Sequence, residues 1–308
     1  MKLGMIAAPE AASFDKAKDL GLSFVEFDCN CAWGGPFDVQ PGDLRTDGHA
    51  LLEKAPFWRE QMERTGVEVG AVGRWASQII HADGTINQDE LSQVKALIDL
   101  THEVGAKNYL VSVNYRENLT LYQNITSAIG YLNEIVTYAK QYGTTVSVVN
   151  CMMGGNYIRQ PELWRLVLPD VPGLKIKYDP SHSFVHGGPN GAYIEEGLGW
   201  GDMFGYIHIK GVVQGKAYSE PRSWALMAHM RNEELRPQVM KELSELNRWY
   251  DNPPAGMDVI NWPAFFSILY KHHYDGLLSI EPHSRTWSGE LGEKGLKFTV
   301  DYIKKLMW

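Results

Sequence analysis

The sequence predicts an α/β fold, a single (β/α)8 barrel with an extended loop and helix insertion after its seventh strand. Three observations predict it. Short β-rich runs alternate with longer amphipathic stretches along the whole chain, and such alternation implies a parallel sheet covered by helices. Glycine recurs just before strands, in Leu20-Gly21, Thr65-Gly66, Val104-Gly105 and Tyr142-Gly143. There the left-handed backbone that closes a helix suits a residue without Cβ. Finally, 308 residues suit one barrel and exceed most other single domains.

Strands are expected over 2–8, 23–29, 67–74, 108–114, 144–151, 174–182, 205–211 and 276–283. Between them, 88–104 carries Leu91, Val94, Leu97 and Ile98 at helical spacing, and 125–142 carries Ile129, Leu132, Ile135 and Val136. Asn87 and Ser127 are the expected helix starts, and Gly105 and Gly143 the expected stops. An open doubly wound sheet is the alternative, but no Gly-x-Gly-x-x-Gly follows the first strand. No linker or composition break divides the chain, so one domain is expected over 1–308. The segment 212–254 is too long for an ordinary strand-to-helix connection and holds Arg222, Trp224 and His229. It reads as a cover over the barrel mouth or a contact with a partner, or else as an extra surface helix.

Composition bounds the partners. Apolar residues make up 44% and charged residues 21%, which supports a large core and argues against disorder. The formal charge of −8 disfavours nucleic acid, whose phosphates need a basic face. No stretch reaches the ~20 apolar residues of a membrane span, and the opening apolar run is too short for a secretory signal. A cytoplasmic protein without a membrane partner is expected. Cys29, Cys31 and Cys151 are too few and too odd in number for a disulfide framework.

The late strands end in polar residues. The sixth reads Lys175-Ile-Lys177-Tyr-Asp179-Pro-Ser-His182, the seventh Tyr206-Ile-His208-Ile-Lys210, and the eighth Ser279-Ile-Glu281-Pro-His283. Asp, His and Glu together suit Mn, Mg, Zn or Fe as divalent ions. Trp33 follows the second strand, Arg74-Trp75 the third and Asn114-Tyr115 the fourth. Aromatic rings of this kind stack on sugar faces, and Arg74, Lys177, Lys210 and Arg222 suit an anionic or polyhydroxyl ligand.

Asp179-Pro-Ser-His182, His208-Ile-Lys210 and Tyr274-Asp-Gly-Leu-Leu-Ser-Ile-Glu281 resemble the signature of the xylose-isomerase-like barrels. That group includes sugar isomerases, ketose 3-epimerases, inosose dehydratases and relatives of endonuclease IV. The segments around Phe14-Asp15 and Val25-Glu26, and Pro253-Pro-Ala-Gly-Met-Asp258 with Trp262-Pro-Ala-Phe-Phe266, extend the resemblance over nearly the whole chain. It implies a divalent ion held by Asp179, His208 and Glu281, with His182 touching substrate. The catalytic set it suggests is Glu281, His182 and Lys210. Trp33, Arg74, Trp75, Asn114, Lys177, Arg222 and His283 are the candidate substrate contacts.

One position departs from the pattern. The fifth strand should end in a glutamate that binds the ion, but the chain reads Val149-Asn150-Cys151. Strand alternation favours Val149 at the missing position, grouped with Thr145, Ser147 and Cys151 on the inner face. Asn150 in that position is the other register. A three-ligand site would hold its ion weakly. The alternative is no metal at all, with Lys210 neutralising Asp179 or Glu281. Two functions follow: an isomerase, epimerase or lyase acting on a sugar, keto-sugar or inositol derivative, or a non-catalytic relative that binds carbohydrate. A DNA-repair role fits neither the charge nor Val149. A homo-oligomer is left open.

Overall fold

The computed structural model describes residues 1–30, 42–151, 156–187, 192–214, 234, 237–238, 241, 250–282, 284 and 286–308. Eight parallel strands close into a barrel. They are β1 (Lys2–Ala7), β2 (Phe24–Asp28), β3 (Glu68–Arg74), β4 (Asn108–Val111), β5 (Thr145–Val149), β6 (Lys175–Tyr178), β7 (Phe204–Ile209) and, after two short strands, β10 (Leu277–Ile280). The sheet closes where β1 pairs with β10, Lys2 beside Leu277 and Met5 beside Ile280. Each predicted strand is present; most end one to a few residues early, and the seventh begins one residue sooner, at Phe204.

The sixth strand differs most. Asp179 and the residues after it leave the sheet, and 180–182 open a helix, Pro180–Gly187, instead of extending β6. The cause is local. Proline suits the first helical position, and Asp179 accepts the Ser181 N–H on Oδ1 at 2.8 Å, as a helix-capping carboxylate does.

Helices cover the outside. Gln88–Glu103 starts at Asn87, whose side chain accepts the N–H groups of Asp89 and Glu90, as expected. Leu121–Lys140 starts earlier than expected, because Thr120 and Gln123 form a reciprocal capping box. Ser127 therefore lies within the helix, where its hydroxyl donates to the Gly84 carbonyl. Gly105 and Gly143 both adopt positive φ, 73° and 65°, and stop their helices as the sequence implies.

The main core lies between barrel and helices and takes in Phe14, Trp58, Leu97, Tyr131, Trp164 and Phe265. A second, smaller apolar cluster fills the barrel interior: Ile6, Phe24, Ala71, Trp75, Leu110, Val149 and Tyr206. Val149 is therefore an inward residue, the register that alternation favours. Most of the insertion lies outside the described residues. Its two ends meet in an antiparallel ladder of β8 (Val213–Gln214) and β9 (Tyr250–Asp251), beside the end of β7.

Candidate functional site

The strand ends of β6, β7 and β10 bring polar side chains together at one mouth of the barrel. Asp179 is fully buried. Its Oδ1 caps the following helix, whereas Oδ2 has no hydrogen-bond partner among the described residues. His182, one turn into that helix, places Nε2 3.5 Å from Oδ2. Donor atoms of Asp179, His182 and Glu281 all lie within 4.8 Å of one another. The nitrogen in this group thus comes from His182, on a helix, rather than from His208, on β7.

His208 is held elsewhere. Its Nε2 stands 2.9 and 2.8 Å from the two carboxylate oxygens of Glu26, on β2. Its Nδ1 stands 2.8 Å from Glu281 Oε2. The other Glu281 oxygen accepts from Lys210 Nζ at 2.5 Å. A carboxylate only accepts hydrogen bonds, so a ring facing carboxylates on both sides is matched when both nitrogens carry protons. The electrostatics agree. Burial pulls the His208 pKa down, but the Glu26 charge and the hydrogen bonds that Glu26 and Glu281 accept from the ring outweigh it and Lys177, leaving it above the ordinary histidine value. Burial pushes Glu26 up, and His208 and Lys177 more than reverse that, holding its carboxyl below the usual range. Asp179 goes the other way. Burial raises it, and the pull of Lys177 does not offset that burial together with the nearby Glu281 charge.

Glu26 was not among the residues expected at the site. The available signal was modest: Phe24, Glu26 and Asp28 share one face of a strand whose other face is Val25 and Phe27. An acid facing the inside of a barrel needs a partner, but its partner here lies 182 positions away.

Trp75 lies back over its own strand. A Cβ on Gly73 would stand 2.2 Å from the Trp75 ring, so glycine is what lets the indole occupy that place. The indole N–H donates to Asp28 Oδ1 at 3.2 Å, and Lys177 Nζ sits 5.8 Å from the ring centroid. The ring also meets His208 edge-on, 6.4 Å between centroids.

The other expected contacts divide. Lys177 is buried and faces the barrel interior with Trp75. Arg74 turns into the wall, where Nε and Nη2 grip the two Glu90 oxygens at 2.8 and 2.9 Å. Asn114 exchanges hydrogen bonds with the backbone of Ile80. Trp33, Arg222 and His283 lie outside the described residues.

The family described as xylose isomerase-like TIM barrel matches residues 14–306. The chain belongs to that family. A search of curated protein sequences finds no match. Among solved structures, a xylose isomerase domain protein from Planctomyces limnophilus has a TM-score of 0.66 at 15% identity, covering 99% of this chain and 96% of that one. The 3-keto-D-glucoside 4-epimerase of E. coli has a TM-score of 0.65 at 15% identity, covering 99% of both chains. A D-psicose 3-epimerase determined in the presence of D-fructose has a TM-score of 0.65 at 12% identity, covering 100% of this chain and 99% of that one. At such identities the likeness establishes the barrel itself. Among the described residues, no helix of this family member is long and apolar enough to cross a membrane.

Proposed function

We propose that this protein is a metal-assisted isomerase or epimerase, or a lyase of related chemistry, acting on a sugar, keto-sugar or inositol derivative. The observation that carries the reading is Asp179 Oδ2. It is buried, has no hydrogen-bond partner among the described residues, and faces His182, 3.5 Å away, and Glu281. An anionic oxygen held away from water is costly unless a cation or donor meets it. The donor set of two carboxylates and one imidazole fits Mn, Mg, Zn or Fe. Asp179, His182 and Glu281 would hold the ion, with His208 as a further candidate if it leaves its carboxylate partners. Bound there, the ion would supply Lewis acidity toward a substrate carbonyl and hydroxyl.

The protein's own groups do the rest. Glu281 is the carboxylate placed to take and return a proton at a carbon beside that carbonyl. Lys210, already 2.5 Å from Glu281, supplies positive charge and an N–H for a substrate oxygen. Trp75 and Lys177, with Trp33, Arg222 and His283, form the substrate-contact set of this reading. Ketoses are the first class to test, because similar barrels include an allulose 3-epimerase from Methylomonas sp. in complex with D-allulose.

The experiment is metal analysis of the purified protein, with proton exchange followed by NMR on a panel of ketoses and inosose analogues in D2O. Asp179→Ala and Glu281→Ala should each abolish exchange. Full activity in both variants rejects the reading.

Val149 supports a second reading, a carbohydrate-binding relative without turnover. It packs in the apolar interior cluster, where the family pattern places a carboxylate. An inactive parent that gains metal and exchange activity as Val149→Glu would favour this alternative.

A further inference from the structure

Three carboxylates and three basic groups share the interior of the mouth: Glu26, Asp179 and Glu281 against Lys177, His208 and Lys210. They are not paired at random. Glu26 is fully buried and stands on β2, separated from β7 by β1 and β10. It reaches across the barrel to His208, and both of its oxygens lie within 2.9 Å of the same ring nitrogen. The opposite ring nitrogen meets Glu281 at 2.8 Å. Trp75 and Tyr206 flank the imidazole, their centroids 6.4 and 6.0 Å away. With Nε2 held and the ring flanked, Nδ1 has one direction to point.

We propose that Glu26 is a positioning residue: by holding His208 at Nε2 it turns Nδ1 onto Glu281 and sets the direction of the Glu281 carboxylate at the mouth. Glu281 is then gripped on both oxygens, Oε2 by His208 and Oε1 by Lys210. The carboxylate that meets ligand is aimed by a residue from the second strand along the barrel, with only β1 between them. Such outer partners orient the groups they bond and are commonly worth about tenfold to a hundredfold in metal affinity. The positioning role rests on the metal reading only for the affinity arm of its test.

The test uses the full chain labelled with 15N-histidine. In the parent, two ring N–H protons of His208 should appear far downfield, and both should vanish in His208→Gln. Glu26→Gln keeps the shape but replaces one acceptor oxygen with a donor. It should remove the Nε2 signal and move the Nδ1 signal, while the thermal midpoint stays within a few degrees. Affinity for Mn²⁺, titrated by EPR on both proteins, should fall about tenfold. If Glu26→Gln does not fold, Glu281→Gln reports from the other end, moving the Nδ1 signal and leaving Nε2 in place. A His208 Nδ1 signal identical in the parent and the folded variant overturns the proposal, as does an absence of downfield signals in the parent. If the parent takes up no Mn²⁺, the metal reading fails and the ring signals alone decide. If it does, an affinity unchanged in Glu26→Gln also overturns the proposal.

Discussion

Asn150 grips the backbone of Asp179 from both sides: its amide nitrogen donates to the Asp179 carbonyl and its oxygen accepts the Asp179 N–H, each at 2.9 Å. Both residues are fully buried. The Asn150 amide also reaches Ser183 Oγ at 3.2 Å, one residue beyond His182. The asparagine just after the fifth strand therefore holds the corner that presents Asp179 and His182. Its neighbour Val149 faces the barrel interior.

Asn150→Ala strands a buried N–H and a buried carbonyl at that corner. A loss of about 1–3 kcal/mol per unsatisfied group is expected, seen as a lower urea midpoint at unchanged slope. If the site holds Mn²⁺, its affinity should fall as well. Unchanged stability would mean that the clamp is redundant.

Gly73→Ala drives a Cβ into the Trp75 indole, which is buried and hydrogen-bonded to Asp28. Overpacking of this kind costs about 1–3 kcal/mol. The cost should largely disappear on a Trp75→Leu background, because the clash is with that ring. A double-mutant cycle by chemical denaturation measures the coupling, and additive losses would contradict this account of Gly73.

Arg74 and Glu90 form a buried bidentate pair, their side chains 3% and 12% exposed. Arg74→Ala leaves Glu90 uncompensated and should cost about 3–5 kcal/mol. Arg74→Lys should recover only part of it, since an ammonium cannot reproduce the fork. A variant that keeps full stability but loses ligand binding would restore Arg74 to the substrate contacts.

Glu196 is buried beneath the site. It accepts hydrogen bonds from the hydroxyls of Tyr178 at 2.7 Å and Ser183 at 2.5 Å. Burial raises its pKa above the ordinary glutamate value despite those two donors. The folded state therefore binds the proton more tightly than the unfolded chain. The stabilisation is complete below the unfolded pKa and is lost as pH rises through the raised folded value. Stability of the parent relative to Glu196→Gln should accordingly decline with rising pH across that window, and a difference that grows with pH would refute the assignment.

Much of the site was legible because strands alternate. Asp179, His208 and Glu281 each stand at the end of a strand, and period two puts Val149 inward and Asn150 outward without reference to any contact. His182 was legible as a site residue. Its place beside Asp179 Oδ2 depends on the helix that Pro180 opens. Arg74 read as a cation at the mouth because it ends a strand. The carboxylate that turns it into the wall, Glu90, belongs to the first turn of the next helix. Glu26 escaped because an acid on the inner face of a strand carries no mark of a partner far along the chain.

The sequence by itself determined the barrel, its strand count, the Asn87 helix start, the glycine helix stops and the three strands that supply the polar mouth. Those features follow from local periodicity and from residues that act on their immediate neighbours. Only the tertiary structure decided which of those groups meet. It drew His208 to Glu26 across the barrel, left Asp179 Oδ2 to His182 and Glu281, and spent Arg74 on the wall. Partner choice among buried charges depends on closure of the sheet, because desolvation makes each charge take the nearest opposite one that the closed barrel presents.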